Sequence, residues 1–155
     1  MKIIDRQLLE QVTLEASASP RLRKNHNIHR CDESRCHRLL NAIEPGSYIR
    51  PHRHLDPEKD EAFILMKGRL GVVTFNPDGT VAETVLLSHA GGSLAADIPC
   101  GVYHAAVSLE TGTVFYEAKA GPYLPLTEEE KALWAPEEND PRSSEYLLRL
   151  QGLFK

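Results

Sequence analysis

The sequence predicts a mainly β, single-domain protein: a small jelly-roll β-barrel with a flanking helix at its N-terminus and at its C-terminus. About eight short strand-like runs lie between residues 37 and 119, and turns that contain Gly or Pro separate them. No helical pattern alternates with these runs, so a parallel sheet with crossover helices is not expected. The chain of 155 residues has the length of one domain and can bury a core without disulfide bonds.

The N-terminal residues predict a surface helix that packs on a sheet. Apolar residues recur at helical spacing between residues 5 and 18, Asp5 can cap the first turn, and Pro20 ends the pattern. The residues of this stripe are Leu8, Leu9, Val12 and Ala16, whereas Leu14 lies off it. Residues 20–34 are polar and show no period, so they form either a solvated connection or part of a polar site.

Strand-like runs fill the middle of the chain. Residues 76–79, Asn-Pro-Asp-Gly, predict a hairpin turn, because Pro suits its second position and Gly the left-handed one. Further turns are expected at the Gly pair 91–92 and at residues 110–112. The predicted strands are residues 37–43, 47–51, 62–66, 69–75, 80–88, 93–98, 102–109 and 113–119.

The character of the chain changes after Pro125. Thr127 and the three Glu residues after it predict a capped helix start, and Pro136 stops that helix. Residues 143–151 predict a final amphipathic helix. The chain therefore divides into an N-terminal helix and polar segment (1–30), a barrel (31–122) and a C-terminal helical extension (123–155).

Two histidines separated by one residue, His52 and His54, form the clearest candidate site. On a strand, side chains two residues apart point the same way, so both imidazoles face one point. Glu61 opens the next apolar run, and a chain reversal can bring its carboxylate opposite the histidines. His104 follows a Pro-x-Gly turn and supplies a fourth ligand. Three imidazoles and one carboxylate suit one divalent metal ion, for which Zn, Fe, Mn, Ni and Co are all acceptable.

Other titratable residues could act beside these ligands. If Phe115 faces the barrel lumen, Glu117 and Lys119 share its side of the last strand and become candidates for an acid or base; a solvated ion pair is the alternative. By the same alternation Tyr48 and Arg50 share the histidine face. Arg50 could hold an anionic group there, but a bulge at Pro51 would turn it outward, and a solvated side chain is the favoured interpretation. The candidate catalytic residues are Glu117, Lys119 and Tyr48.

Composition excludes several classes of partner. The net charge is −4, so neither nucleic acid nor an anionic membrane is favoured. No apolar run has the length of a signal peptide or membrane span, which predicts a cytoplasmic protein. Three cysteines do not make a secreted disulfide framework. A second metal site from His29, Cys31, Cys36 and His37 has poor spacing, and small loop residues are the favoured interpretation of both cysteines.

The motifs resemble those of the cupin family. Its first motif is a Gly, five residues, His-x-His, a short gap, Glu, six residues and Gly; its second contains Pro-x-Gly-x-x-His. The matching residues are Gly46, His52, His54, Glu61, Gly68, Pro99, Gly101 and His104. The gap between His54 and Glu61 is longer than usual, which leaves Glu58 as the alternate carboxylate, and Ser108 stands where Asn is common.

Almost the whole chain resembles the WbuC-type cupin metalloproteins, and the segments that carry this resemblance are residues 19–29, 38–41, 51–54, 121–125 and 134–137. The resemblance implies the cupin barrel, the metal ligands above, an association with surface-polysaccharide gene clusters and a homodimer. It also favours a position at the barrel mouth for part of the polar N-terminal segment. The candidates to bind substrate there are Lys24, Asn25, His26 and Asn27.

Two functions follow as hypotheses. The first is a metal-dependent enzyme that isomerises or epimerises a small polar or sugar-like substrate, with an iron-dependent oxygenase as a variant. The second is a non-enzymatic module that binds or senses a carbohydrate-like ligand and uses the metal structurally. In both, the partner is a small molecule.

Overall fold

The computed structural model describes residues 1–155 as two antiparallel sheets with one helix near each end of the chain. The helices are α1 (Arg6–Ser17) and α2 (Ser143–Gln151), and a 3₁₀ turn, Gly152–Phe154, follows α2. The strands are β1 (Arg23–Asn27), β2 (Cys36–Ile43), β3 (Glu61–Lys67), β4 (Arg69–Phe75), β5 (Val81–Ser88), β6 (Ala95–Ile98), β7 (Tyr103–Ser108) and β8 (Thr113–Ala120).

The strands form a sandwich whose inner faces supply the core. One sheet has the order β1-β2-β8-β3-β6 and the other β5-β4-β7. Between them lies a buried apolar cluster that includes Phe63, Leu65, Leu70 and Phe115. This is the jelly-roll architecture that the sequence predicts, with the strands of residues 62–119 close to their predicted bounds.

Helix α1 lies against the outer side of β1 and β2. Its buried residues Val12 and Ala16 pack with Leu40, Ala42 and Val114, and Leu14 is exposed, as the helical period predicts. The Asp5 carboxylate caps the helix by accepting a hydrogen bond from the Leu8 N–H at 2.9 Å.

Substitution of the cap is expected to destabilise the protein slightly. Asp5→Ala leaves the Leu8 N–H without its acceptor and should lower the free energy of unfolding by about 1 kcal/mol. Asp5→Asn keeps an oxygen acceptor and should cost much less. Urea unfolding followed by circular dichroism compares the two variants; equal losses would contradict a capping role.

Three sequence predictions fail. Residues 23–27 form β1 and pair with β2, so the sheet begins before residue 31. Residues 47–51 are irregular, and only His52 makes an isolated bridge. Residues 127–136 form turns, because their backbone is hydrogen-bonded to residues 51–53: the Arg53 N–H donates to the Glu130 carbonyl and the Ala132 N–H to the Pro51 carbonyl.

Neither helix has the length and apolar character that crossing a membrane requires.

Candidate metal centre

Backbone hydrogen bonds join the two histidine motifs. The His52 N–H donates to the His104 carbonyl at 3.1 Å, and the His104 N–H donates to the His52 carbonyl at 2.8 Å. The Gly101 N–H donates to the His54 carbonyl at 2.7 Å. Gly101 has φ +79°, the left-handed conformation that glycine adopts without strain. The turn before β7 therefore fixes His104 beside His52, although the residues around His52 are not a regular strand.

Glu61 lies between two of the three imidazoles. Its Oε1 is 2.9 Å from His54 Nε2 and its Oε2 is 2.9 Å from His104 Nε2. The carboxylate begins β3 and is only 2% exposed. The alternate carboxylate, Glu58, lies on the exposed loop before β3. The structure thus brings Glu61 rather than Glu58 to the histidines.

The tautomers of two imidazoles leave lone pairs facing this carboxylate. His52 Nδ1 is 3.1 Å from the Arg50 carbonyl and His104 Nδ1 is 3.0 Å from the Val102 carbonyl. A carbonyl can only accept, so both rings carry their proton on Nδ1. His104 Nε2 is then a buried acceptor with no hydrogen-bond partner, because the nearby Glu61 oxygen is also an acceptor.

This arrangement fits a cation. Ligand atoms of His52, His54 and Glu61 lie within 4.8 Å of one another, and His104 Nε2 faces the second oxygen of Glu61. Burial, and secondly the nearby His104, lower the pKa of His52 to about 3, so the ring is neutral. Neutral imidazoles and an ionised carboxylate are the forms that bind metal ions.

A buried ion-pair network extends from Glu61. Lys119 Nζ contacts Glu61 Oε1 and lies 2.7 Å from Glu117 Oε1, while the Asn41 amide donates to Glu117 Oε2. Burial opposes ionisation of Glu61, but the His54 ring, whose Nε2 is within hydrogen-bonding distance, and the Lys119 ammonium hold its pKa below the usual range. Burial would lower the pKa of Lys119, but Glu117 and Glu61 raise it above the usual value. Lys119 is therefore a permanent cation between two carboxylates.

The centre opens into a cavity of about 710 Å³ inside the sandwich. His52, Glu61 and His104 line it together with Glu117 and Lys119. This volume is that of a small-molecule site. The remaining polar wall comes mostly from β1, β2 and the C-terminal segment: Arg21, Arg23, Asn25, Asn27, His29, Asp32, His37, Asn41, Arg50, Lys131, Glu137 and Glu138.

Only two of the four substrate-binding candidates lie on the cavity wall. Asn25 and Asn27 line the cavity, whereas Lys24 pairs with Glu15 of α1 at 3.3 Å and, like His26, is not on the cavity wall. The cause is the alternation of β1, which sequence reasoning did not identify as a strand.

Tyr48 is also away from the centre. It packs in a second apolar cluster with Val73, Phe75 and Leu147, and its hydroxyl donates to the Pro136 carbonyl at 2.8 Å. The alternation of side chains that predicted Tyr48 on the histidine face does not hold, because residues 47–51 are not a regular strand. Arg50, by contrast, lines the cavity.

Glu130 is a neighbour of the centre that sequence reasoning missed. Its Oε1 accepts from the Leu55 N–H at 3.1 Å and lies 3.9 Å from His54 Nδ1. Burial opposes ionisation, but hydrogen bonds from Thr127 and Leu55 lower the pKa of Glu130. The Thr127-x-x-Glu130 pattern is its only sequence signal, and that pattern also predicts a helix start.

The alternative histidine and cysteine site does not assemble. His29 and His37 stack with ring centroids 4.0 Å apart, and both bond to backbone groups. Cys31 and Cys36 are exposed and unbonded to each other. Cys31 lies in the loop before β2, as expected, whereas Cys36 begins β2, and both are exposed rather than partly buried.

The fold and the centre together define the class of protein: one with the single-domain cupin fold, a jelly-roll sandwich with flanking helices, and a histidine and glutamate group that could hold a metal ion. The chain belongs to the family described as Domain of unknown function (DUF6016), whose model matches residues 4–87, just over half of its length. No curated protein matches the chain.

Several solved structures share the fold. KdgF from Halomonas sp. is 19% identical with a TM-score of 0.52, over 69% of this chain and 85% of that one. TT1209 from Thermus thermophilus is 22% identical with a TM-score of 0.53, over 77% and 97%. SPY1581 from Streptococcus pyogenes, described as a protein of unknown function, is 14% identical with a TM-score of 0.54, over 79% and 90%. At these identities the likeness concerns the fold alone.

Proposed function

We propose that the protein is a metal-dependent enzyme that isomerises or epimerises a small sugar-like substrate. The observation that carries this proposal is the buried, unpartnered His104 Nε2 opposite an ionised Glu61 at a polar cavity. Two acceptors held together out of water are costly unless a cation lies between them. His52 and His54 would complete the ligand set, which suits a divalent first-row ion.

The residues around the centre suit proton transfer. A bound divalent ion would act as a Lewis acid on a carbonyl or hydroxyl oxygen of the substrate. Glu117 is the carboxylate able to take or return a proton at its Oε1 or Oε2, because it lines the cavity but is not among the metal-ligand candidates. Lys119 keeps its proton and orients Glu117, while the Asn41 amide holds the other carboxylate oxygen.

The cavity wall suits a hydroxyl-rich ligand. Asn25 and Asn27 present amides to the cavity from β1, and each amide can donate to and accept from hydroxyl groups. We propose on this basis, and on the resemblance of the segments given above, that the protein is of the WbuC type. A role in surface-polysaccharide metabolism and a homodimeric state form part of the same proposal.

Metal analysis tests the centre directly. We expect about one metal ion per chain in protein purified without added metal or nickel resin. His52→Ala and His104→Ala each remove one nitrogen ligand and should lose most of that metal. His26→Ala is the matched control, because His26 is not on the cavity wall. The readout is elemental analysis of all four proteins, with circular dichroism to verify folding.

The outcomes separate the hypotheses. Metal that all variants retain would contradict the site. Metal loss with turnover of a sugar-like substrate that also disappears in His52→Ala supports the enzyme. Ligand binding that survives in His52→Ala without turnover supports the binding module instead, and the identity of the metal chooses between isomerase assays and oxygen-dependent ones.

A further inference from the structure

Three arginine side chains, called the arginine cluster below, line the cavity and are not among the metal-ligand candidates. Arg21, Arg23 and Arg50 all line the same cavity as His52 and His104. The side chains of Arg23 and Arg50 are only 12% and 15% exposed. Removing guanidinium groups from water is costly unless anionic groups pair with them, so their partners decide what this cluster does.

Two of these arginines share one carboxylate of the same chain. Glu138 Oε1 is 2.6 Å from an Arg23 nitrogen, and Glu138 Oε2 is 2.9 Å from Arg21. Glu138 is itself 34% exposed and lies on an irregular segment before α2. One carboxylate bound by two guanidinium groups has the geometry with which arginines bind a carboxylate or phosphate ligand.

Arg50 has a weaker partner. Its Nε donates to the Ala132 carbonyl at 3.0 Å, and its nearest carboxylate, Glu137, is 3.6 Å away and 81% exposed. A long pair with an exposed glutamate compensates little of the charge. This guanidinium therefore retains donors that an incoming anion could use.

The charge of the whole cavity points the same way. Five cationic side chains (Arg21, Arg23, Arg50, Lys119 and Lys131) and five anionic ones (Asp32, Glu61, Glu117, Glu137 and Glu138) line it. The positive and negative charges of these side chains cancel when no metal ion is bound. A divalent ion at the histidines adds two positive charges, so the loaded cavity favours an anionic ligand over a neutral one.

The geometry points to a subsite for an anionic group, a phosphate or a carboxylate, on Arg21, Arg23 and Arg50. The Glu138 carboxylate occupies this subsite in the free protein, and the ligand's anionic group displaces it. The ligand is then an anionic, hydroxyl-rich small molecule that meets the arginines at one end and the metal centre at the other. This inference rests on the proposed function for the metal charge, but the arginine contacts are independent of it.

Calorimetric titration of the metal-loaded protein with glucose 6-phosphate, gluconate and glucose tests the subsite. We expect an anionic probe to bind more tightly than glucose, and the preference between the two anions identifies the group. Arg50→Gln should weaken that binding about tenfold or more, because it removes a charge-assisted hydrogen bond to the ligand. Arg21→Gln, at a side chain 63% exposed, should weaken it with no effect on folding. Glu138→Gln should strengthen it several-fold, because the internal competitor is neutralised.

The matched controls are Arg149→Gln and Glu145→Gln, which change the same charges on exposed positions of α2. Neither should alter binding. Anions that bind no better than glucose, or Glu138→Gln and Arg21→Gln titrations identical to wild type, would overturn the subsite. Metal content measured on each sample separates this failure from that of the proposed function: metal present without an anion effect contradicts only the subsite, and absent metal contradicts the centre.

Discussion

Replacing Lys119 by Met is expected to lower the free energy of unfolding of the metal-free protein by about 3–5 kcal/mol. The ammonium contacts Glu61 and Glu117, which are 2% and 8% exposed. Met has a similar length but no charge, so two carboxylates would remain close together in the interior without a cation. A buried charge that loses its partner costs more than the pair contributed, which gives this substitution its large effect.

A bound metal ion should reverse part of this loss. If Glu61 is a metal ligand, a divalent ion supplies the positive charge that Lys119→Met removes. The difference in stability between variant and wild type should therefore be smaller with Mn²⁺ than in the metal-free protein.

Urea unfolding with and without Mn²⁺ measures both effects. Lys67→Met is the matched control, because Lys67 is exposed at the end of β3 and should change stability little. A loss in Lys119→Met that Mn²⁺ leaves unchanged would contradict Glu61 as a ligand. A loss no larger than that of Lys67→Met would contradict the buried network.

The metal-ligand candidates were accessible from sequence because their information is local. His52 and His54 are two residues apart, so their spacing indicates that they act together. His104 lies far along the chain, and its Pro-x-Gly turn and the resemblance to the second cupin motif are what connect it to them. The structure differs from the prediction in how the two histidine motifs are joined. Backbone hydrogen bonds between His52 and His104, rather than a regular strand, bring the motifs together.

The missed elements depend on partners distant in the chain. Residues 23–27 are polar on both faces, because Asn25 faces the cavity and Lys24 pairs with Glu15, so no apolar alternation marks β1. The turns at residues 127–136 replace a predicted helix because their backbone pairs with residues 51–53. Neither interaction has a local sequence signal.

The glycine that ends the first motif, Gly68, is expected to be a sensitive turn position. It connects β3 to β4 with φ +82°, and a Cβ added there would lie 2.5 Å from Thr113 Oγ1 and 2.8 Å from Thr113 Cα. Thr113 is fully buried, and its hydroxyl bonds to the Arg69 and Glu110 carbonyls, so it cannot move freely. Gly68→Ala should therefore combine backbone strain with a steric clash.

We expect Gly68→Ala to lower the free energy of unfolding by about 2–4 kcal/mol, of which the positive φ accounts for about 1–2 kcal/mol. Gly101→Ala separates the two contributions, because its φ is +79° but nothing lies within 4 Å of the added Cβ. It should cost only the strain. Urea unfolding of both variants gives the comparison, and equal losses would contradict a role for the Thr113 contact. Because Gly101 positions His104, the main effect of Gly101→Ala should be a loss of bound metal. The main effect of Gly68→Ala should be a lower free energy of unfolding.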